Sequence, residues 1–288
     1  MNLDEIIHRL PTHLRERVHP FADHGRGGEL VVCWIHHANR IDENPLLEVA
    51  AEAARALRLP LVVHAGFGGH HPHANDRHTI FMLEGLRETQ AALAEHGIRM
   101  SVTPPTSPDG PSGLRHLAAR ARLLITEDQP VRPWPRWTAA IASGVPGEVA
   151  LVDTACVAPA RLIVGTHDRA FRFRSAAATA WKDRVDRDWP TASLAAPEAR
   201  LEDLPDDTLD LTSIDLGPLV GGWDIDHTIG PVPDLPGGTT AADARWNTFR
   251  ESDLSRYHRR RNNAIDDAGV SGLSPYLHHG MISPMRIA

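Results

Sequence analysis

Apolar residues along this chain gather into short unbroken runs, separated by longer stretches with helical spacing. ELVVCWIHH (29–37), PLVVHAG (60–66), IRMSVT (98–103), RLLITE (122–127) and GEVALVD (147–153) are of strand length, and most are rich in β-branched residues. Consecutive apolar positions fit strands buried on both faces. Between them, the spacing predicts helices over 44–59, 77–97, 114–121 and 137–145. Pro45 sits in a first turn, where proline is tolerated, and Gly97 is placed as a C-cap. Residues 3–18 predict a leading helix, interrupted or ended near Pro11.

Strand and helix in alternation predict parallel strands joined by right-handed crossovers. The expectation is a doubly wound α/β domain with a five-stranded parallel sheet over residues 20–165. Ligands of such sheets bind beyond the carboxyl ends of the strands. Those ends are His36 to Arg40, Ala65-Gly66, Thr126 to Asp128 and Asp153. No GxGxxG follows the first strand, so a plain NAD-binding Rossmann enzyme is not expected.

After Asp153 the pattern changes. RAFRFRSAAATAW (169–181) predicts an arginine-rich helix. Residues 201–244 hold ten acids and no Lys or Arg, dotted with Pro and Gly, which is linker chemistry. From Thr239 the helical pattern returns. The chain is expected to divide into an α/β domain (20–165), a connecting helix and acidic linker (166–238) and the start of a helical domain (239–288), cut off at Ala288 in mid-helix.

Composition narrows the class without choosing a function. Over 288 residues, 42% are hydrophobic and 23% charged, which excludes a disordered chain, a collagen and a coiled coil. No apolar run approaches the roughly 20 residues of a membrane span, and MNLDEIIHRL lacks signal-peptide character. A soluble cytoplasmic protein is expected. Cys33 and Cys156 read as buried small hydrophobes. The net charge of −7 is uneven: residues 201–244 carry −10, residues 245–288 carry +3 and the first 200 sum to zero. The basic end reads either as an arginine-rich helix face or as a contact surface for phosphates.

Candidate chemistry is sparse. His64, His70, His71, His73 and His78 surround one loop, but the chain has 18 histidines and no metal site is expected. His36 and His37 have no GxSxG nucleophile to serve. Trp134, Trp137, Trp181, Trp189, Trp223 and Trp246 read as core. The strongest local signal is Tyr257 followed by SGLSPYLHHG (271–280). A Gly/Ser turn opening a helix offers free N–H groups and hydroxyls to a phosphate. The same residues also serve as an ordinary Ser N-cap.

Several stretches together resemble the photolyase/cryptochrome family, most closely the class II-type cyclobutane pyrimidine dimer photolyases. VVCWIHHANRIDENPLL (31–47) resembles the opening strand with its "R..DN..L" continuation, and FMLEGLRETQAAL (81–93) the class II "FMLEGL" helix. RLLITEDQPVRPWPRW (122–137), ALVDTACVAP (150–159) and RAFRFRSAAATAW (169–181) resemble later segments in family order. YHRRRNNAIDDAGVSGLSPYLHHGMIS (257–283) resembles the start of the flavin-binding domain and is the most specific of these.

The resemblance implies an antenna domain, a connection and the opening of a helical domain that holds FAD in a bent form. By the family pattern Tyr257, Val270, Ser271, Gly272, Leu273 and Ser274 contact the FAD phosphates, and Arg261 contacts DNA. A second, antenna chromophore, a deazaflavin or a folate, is implied as well. Val270 stands where many relatives carry Thr, Gly272 where Arg or Asn is usual and His279 where Phe is usual. The implied activity is splitting of dimers in UV-damaged DNA by an electron from photoexcited reduced flavin, by a monomer. Photolyases flip the damaged bases out of the duplex, and phosphate contacts come from Arg and Lys. The alternatives are a cryptochrome-like photoreceptor, or a chromophore- or nucleotide-binding α/β module without repair activity. Taken alone, residues 1–288 are expected neither to hold FAD firmly nor to repair DNA.

Overall fold

Each apolar run becomes a strand whose alternate side chains enter opposite layers. The computed structural model describes residues 1–67, 73–105, 113–190, 194–195, 197–199, 201, 203–266 and 269–288. The strands are β1 (Val18–Asp23), β2 (Leu30–Trp34), β3 (Leu61–Gly66), β4 (Arg99–Thr103), β5 (Ala121–Glu127) and β6 (Glu148–Val152). They form one sheet in the order β1-β6-β5-β2-β3-β4. Val31, Cys33, Val63, Met100 and Ile125 pack into one apolar layer. Leu30, Val32, Val62, Leu124 and Val149 pack into the other.

Helices α1 (Leu3–Arg9), α2 (Thr12–Arg15), α3 (Pro45–Leu57) and α4 (Asp76–Glu95) cover the first face, and α5 (Gly113–Ala118) and α6 (Trp134–Ala142) the second. Pro45 opens α3 behind Asn44, whose side chain accepts from the amides of Leu46 and Leu47. The doubly wound α/β expectation is met, and all five expected strands are present and mutually parallel.

The sheet has one strand more than the sequence predicts. The leading helix is interrupted at Pro11, as expected, into α1 and α2, but these are followed by an unexpected strand, β1, which pairs antiparallel with β6. Its sequence VHPFAD hides it, since Pro20 cannot donate to a ladder and is confined to edges and irregular sites. The register shifts at that point, between Pro20 and Ala22.

After β6 come α7 (Ala170–Val185), α8 (Leu216–Gly221), α9 (Thr239–Ser252), α10 (Leu254–Arg260), α11 (Ser274–His278) and α12 (Pro284–Ile287). The acidic stretch is not a free tether. Leu211, Leu216 and Val220 are buried in the layer above α4, and Arg87 donates to the carbonyls of Leu211 and Ile214. A third apolar cluster joins Phe81 of α4 to Trp246, Phe249, Leu273, Tyr276 and Met281. Among the described residues, no helix is long and apolar enough to cross a membrane.

Candidate functional site

The strand order reverses between β2 and β5, which opens a crevice at their carboxyl ends. Glu127, the last residue of β5, fills it. Its fully buried carboxylate accepts from the backbone N–H groups of His36 (2.8 Å), His37 (3.1 Å) and Ala38 (2.6 Å). Three successive amides around one anion make a nest. Asp153 does the same at the end of β6, accepting from Ala155, Cys156 and Ala160. The acidic strand ends therefore hold their own loops. The His36 ring stacks on Trp134 at 3.9 Å, and burial pushes its pKa down. Its Nδ1 lies 3.2 Å from Glu127 Oε2, and its Nε2 is buried without a hydrogen-bond partner among the described residues.

The loop held by Glu127 is the seat of the C-terminal segment. Arg40, 2% exposed, donates to the carbonyls of Asp42, Glu43 and Gly280. Asn39 N–H donates to the carbonyl of His279. Gly280 has φ +61°, and an added Cβ would lie 2.3 Å from the carbonyl oxygen of His37. Gly280→Ala is expected to cost about 2 kcal/mol and to lower hydrogen-exchange protection of residues 273–288 before that of the sheet. Native protection there would contradict this seating.

The predicted phosphate-contact residues lie against the third apolar cluster. Tyr257, half-buried in α10, packs edge-on against Phe249 at 5.4 Å. Leu273 is buried in the same cluster, and the Tyr276 hydroxyl donates to the carbonyl of Pro236. Val270 is half exposed and contributes no side-chain hydrogen bond. Gly272 has φ +68°, a backbone that side chains rarely adopt. Among the described residues, the amides of Ser271, Gly272 and Ser274 have no acceptor.

Arg245 of α9 completes this turn, and sequence reasoning missed it. Its Nε donates to the carbonyl of Ser271 at 2.7 Å, and its guanidinium lies where a Gly272 side chain would be. Free amides, two serine hydroxyls and one cation form an arrangement suited to a phosphate or diphosphate. A signal for Arg245 existed only in the charge pattern, as the first cation after 44 residues without one.

Arg261 caps α10, exposed, with its guanidinium 5.8 Å from the Tyr257 ring centroid. Arg260 is already committed to Asp253 and Asp266, and Arg286 to Glu43 and Asp243, so these two cations are held within the fold. His279 fills the place expected of Phe by lying 5.5 Å from the Phe81 ring. Burial pushes its pKa down to about 4.

Other candidates separate. His70 and His71 lie outside the described residues. His64 is buried beside the Ser101 hydroxyl, and burial lowers its pKa to about 3. Among the described residues, no group of three or more His, Cys, Asp or Glu could hold a metal ion. Of the tryptophans read as core, Trp246 is buried, but Trp137 and Trp181 are 44% and 48% exposed. Cys33 is buried as expected, whereas Cys156 is only partly so.

Comparison with known proteins follows the same outline. Over 266 residues the chain is 29% identical to a deoxyribodipyrimidine photo-lyase of Methanothermobacter thermautotrophicus, covering 91% of this chain and 56% of that protein. The fold matches a photolyase of Sulfolobus tokodaii whose structure holds two FAD molecules. The TM-score is 0.56 at 14% identity, over 88% of this chain and 53% of that one. It also matches a class III photolyase of Agrobacterium tumefaciens, with a TM-score of 0.59 at 17% identity over 91% of this chain and 52% of that one. The chain thus spans about half the length of these relatives. Residues 31–198 match the DNA photolyase family, and the chain belongs to that family.

Proposed function

We propose that the protein is a light-dependent DNA-repair enzyme, a deoxyribodipyrimidine photo-lyase of the class II type that splits cyclobutane pyrimidine dimers with FAD. The observation that carries this is the likeness to a deoxyribodipyrimidine photo-lyase through 91% of the chain. In this reading residues 20–165 are the antenna domain, which takes a deazaflavin or a folate, and residues 166–238 are the connection. Residues 239–288 open the flavin domain. The protein works as a monomer in the cytoplasm.

The turn at 270–274 supports the cofactor assignment. The amides of Ser271, Gly272 and Ser274, without acceptors among the described residues, are available to a phosphate group, with Arg245 supplying the countercharge. Tyr257 and Leu273 form the apolar floor beside it. Val270 in place of Thr removes a hydroxyl partner but no backbone donor, so the cradle keeps its main contacts. FAD, when bound, supplies the light-driven one-electron chemistry. Arg261 is an exposed cation beside the Tyr257 ring and is assigned to a DNA phosphate.

The substrate assignment is tested in the dark. Flipping costs a few kcal/mol, and less for a damaged base. At 1.4 kcal/mol per tenfold, the whole protein should bind a dimer-bearing oligonucleotide about 10–100-fold more tightly than its undamaged twin. Flavin photoreduction with equal affinity for both would instead mark a photoreceptor.

A further inference from the structure

Helix α7 stands largely outside the packed layers: none of its 16 residues is buried. Its last turn is tied down, because Arg184 forms a two-pronged ion pair with Glu16 at the end of α2. Its first half stands in solvent. Phe171 and Phe173 are 60% and 49% exposed, and Trp181, further along the same helix, is exposed to a similar degree. Single exposed apolar residues are ordinary, whereas a cluster of large rings on one element marks a surface that meets a partner.

The charge around these rings is of one sign. Residues 169–182 hold four cations, Arg169, Arg172, Arg174 and Lys182, and no acid, in a chain whose net charge is −7. All four are exposed. Arg172 pairs with Asp168, while the other three have no ion pair among the described residues. In RAFRFR (169–174) cation and aromatic alternate, and helix residues two apart point to different sides. The rings therefore do not form the single apolar stripe, opposite a charged face, of a helix that lies in a lipid surface. A second copy paired along this helix would set cations against cations. A nucleic acid offers the matching pattern, with one anionic phosphate and one flat base in every nucleotide. Its base faces are open to aromatic side chains only where the strand is unpaired.

We propose that α7 is a binding surface for single-stranded nucleic acid, whose bases stack on Phe171, Phe173 and Trp181 and whose phosphates meet Arg169, Arg174 and Lys182. The surface lies on a different helix from Arg261 and from the turn at 270–274, and it uses no flavin. It stands or falls independently of the repair reading.

Fluorescence anisotropy of labelled, undamaged oligothymidine, titrated in the dark with the whole protein, tests it. Binding is expected with a Kd on the order of 10 μM, and log K should fall against log salt with a slope of about −2, the value for three phosphates of a single strand. Phe171→Ala/Phe173→Ala removes two exposed rings, so its melting temperature should stay that of the original protein. Oligothymidine should bind this variant ~10-fold or more weakly, having lost two stacking platforms. Inorganic polyphosphate, which has charge and no bases, should bind both proteins alike, and so should an undamaged duplex. No oligothymidine binding, an unchanged oligothymidine Kd in the double variant, or an equal loss for polyphosphate or duplex would each overturn the proposal. An unchanged Kd with loss of binding to phosphatidylglycerol vesicles, or with loss of self-association, would assign the face to a lipid surface or a second copy and would overturn it as well.

Discussion

Glu127→Ala should lower stability by about 4 kcal/mol, read as a shift in the urea midpoint at unchanged slope. Three N–H groups, of His36, His37 and Ala38, lose their shared acceptor at once. Each donor left unmet in the interior costs about 1–3 kcal/mol, and bonds to a carboxylate are the stronger kind. The effect should spread further. The released loop carries Arg40 and Asn39, which seat the C-terminal segment through the carbonyls of Gly280 and His279. Hydrogen exchange should therefore speed up at residues 36–38 and 273–288 together. Glu127→Gln keeps one acceptor oxygen but sets an NH2 group against the remaining amides, so it should lie between the two. A loss under about 1 kcal/mol in Glu127→Ala would mean that the loop holds its shape by other contacts.

Glu48→Gln is expected to stabilise the protein at pH 8 and to leave it almost unchanged near pH 4.5. Burial raises the Glu48 pKa from 4.5 to about 7, against a smaller lowering by the Trp189 hydrogen bond. His13 lies across from it, Nε2 to Oε2 at 3.7 Å, and burial pushes the imidazole pKa down. Both groups are thus driven towards their neutral forms, and the contact is not an ion pair. The folded state keeps the Glu48 proton up to about pH 7, whereas the unfolded chain releases it near 4.5. Stability consequently falls as pH rises through that window and is level above it. A displacement of that size corresponds to at most roughly 3 kcal/mol. Glutamine removes the fall and still accepts from Trp189 Nε1, now 2.7 Å from Glu48 Oε1. Melting temperatures of both proteins from pH 4 to 8 check this. Parallel curves would contradict it.

The sheet is legible in the sequence because its five parallel strands are buried on both faces and so read as unbroken apolar runs. β1 is not, because an edge strand with Pro20 and mixed exposure carries neither an apolar run nor a strict alternation. The packing of residues 201–244 is hidden by their charge. Ten acids dominate the composition, while a few anchors, Leu211, Leu216 and Val220, decide the placement.

At the candidate site, the turn at 270–274 is visible locally because Gly and Ser mark it. Arg245 is not, since it reaches Ser271 from 26 residues away. The strand-end acids are legible as residues at the edge where such sheets bind ligands, but not as anchors of their own loops. Glu127 is bonded to amides 91 to 89 positions distant, a tertiary fact that no local spacing encodes. Trp137 and Trp181 show the limit of reading large aromatics as core: size argues for burial, yet both stand open on short or uncovered helix faces.

The most direct measurement of the central claim is the dimer content of a thymine-dimer oligonucleotide under blue light, in the presence of the whole protein with reduced FAD. Dimers should disappear with illumination time, restored to unmodified thymines, and should persist in the dark. Dimers that persist under light in a protein shown to hold its flavin would contradict it.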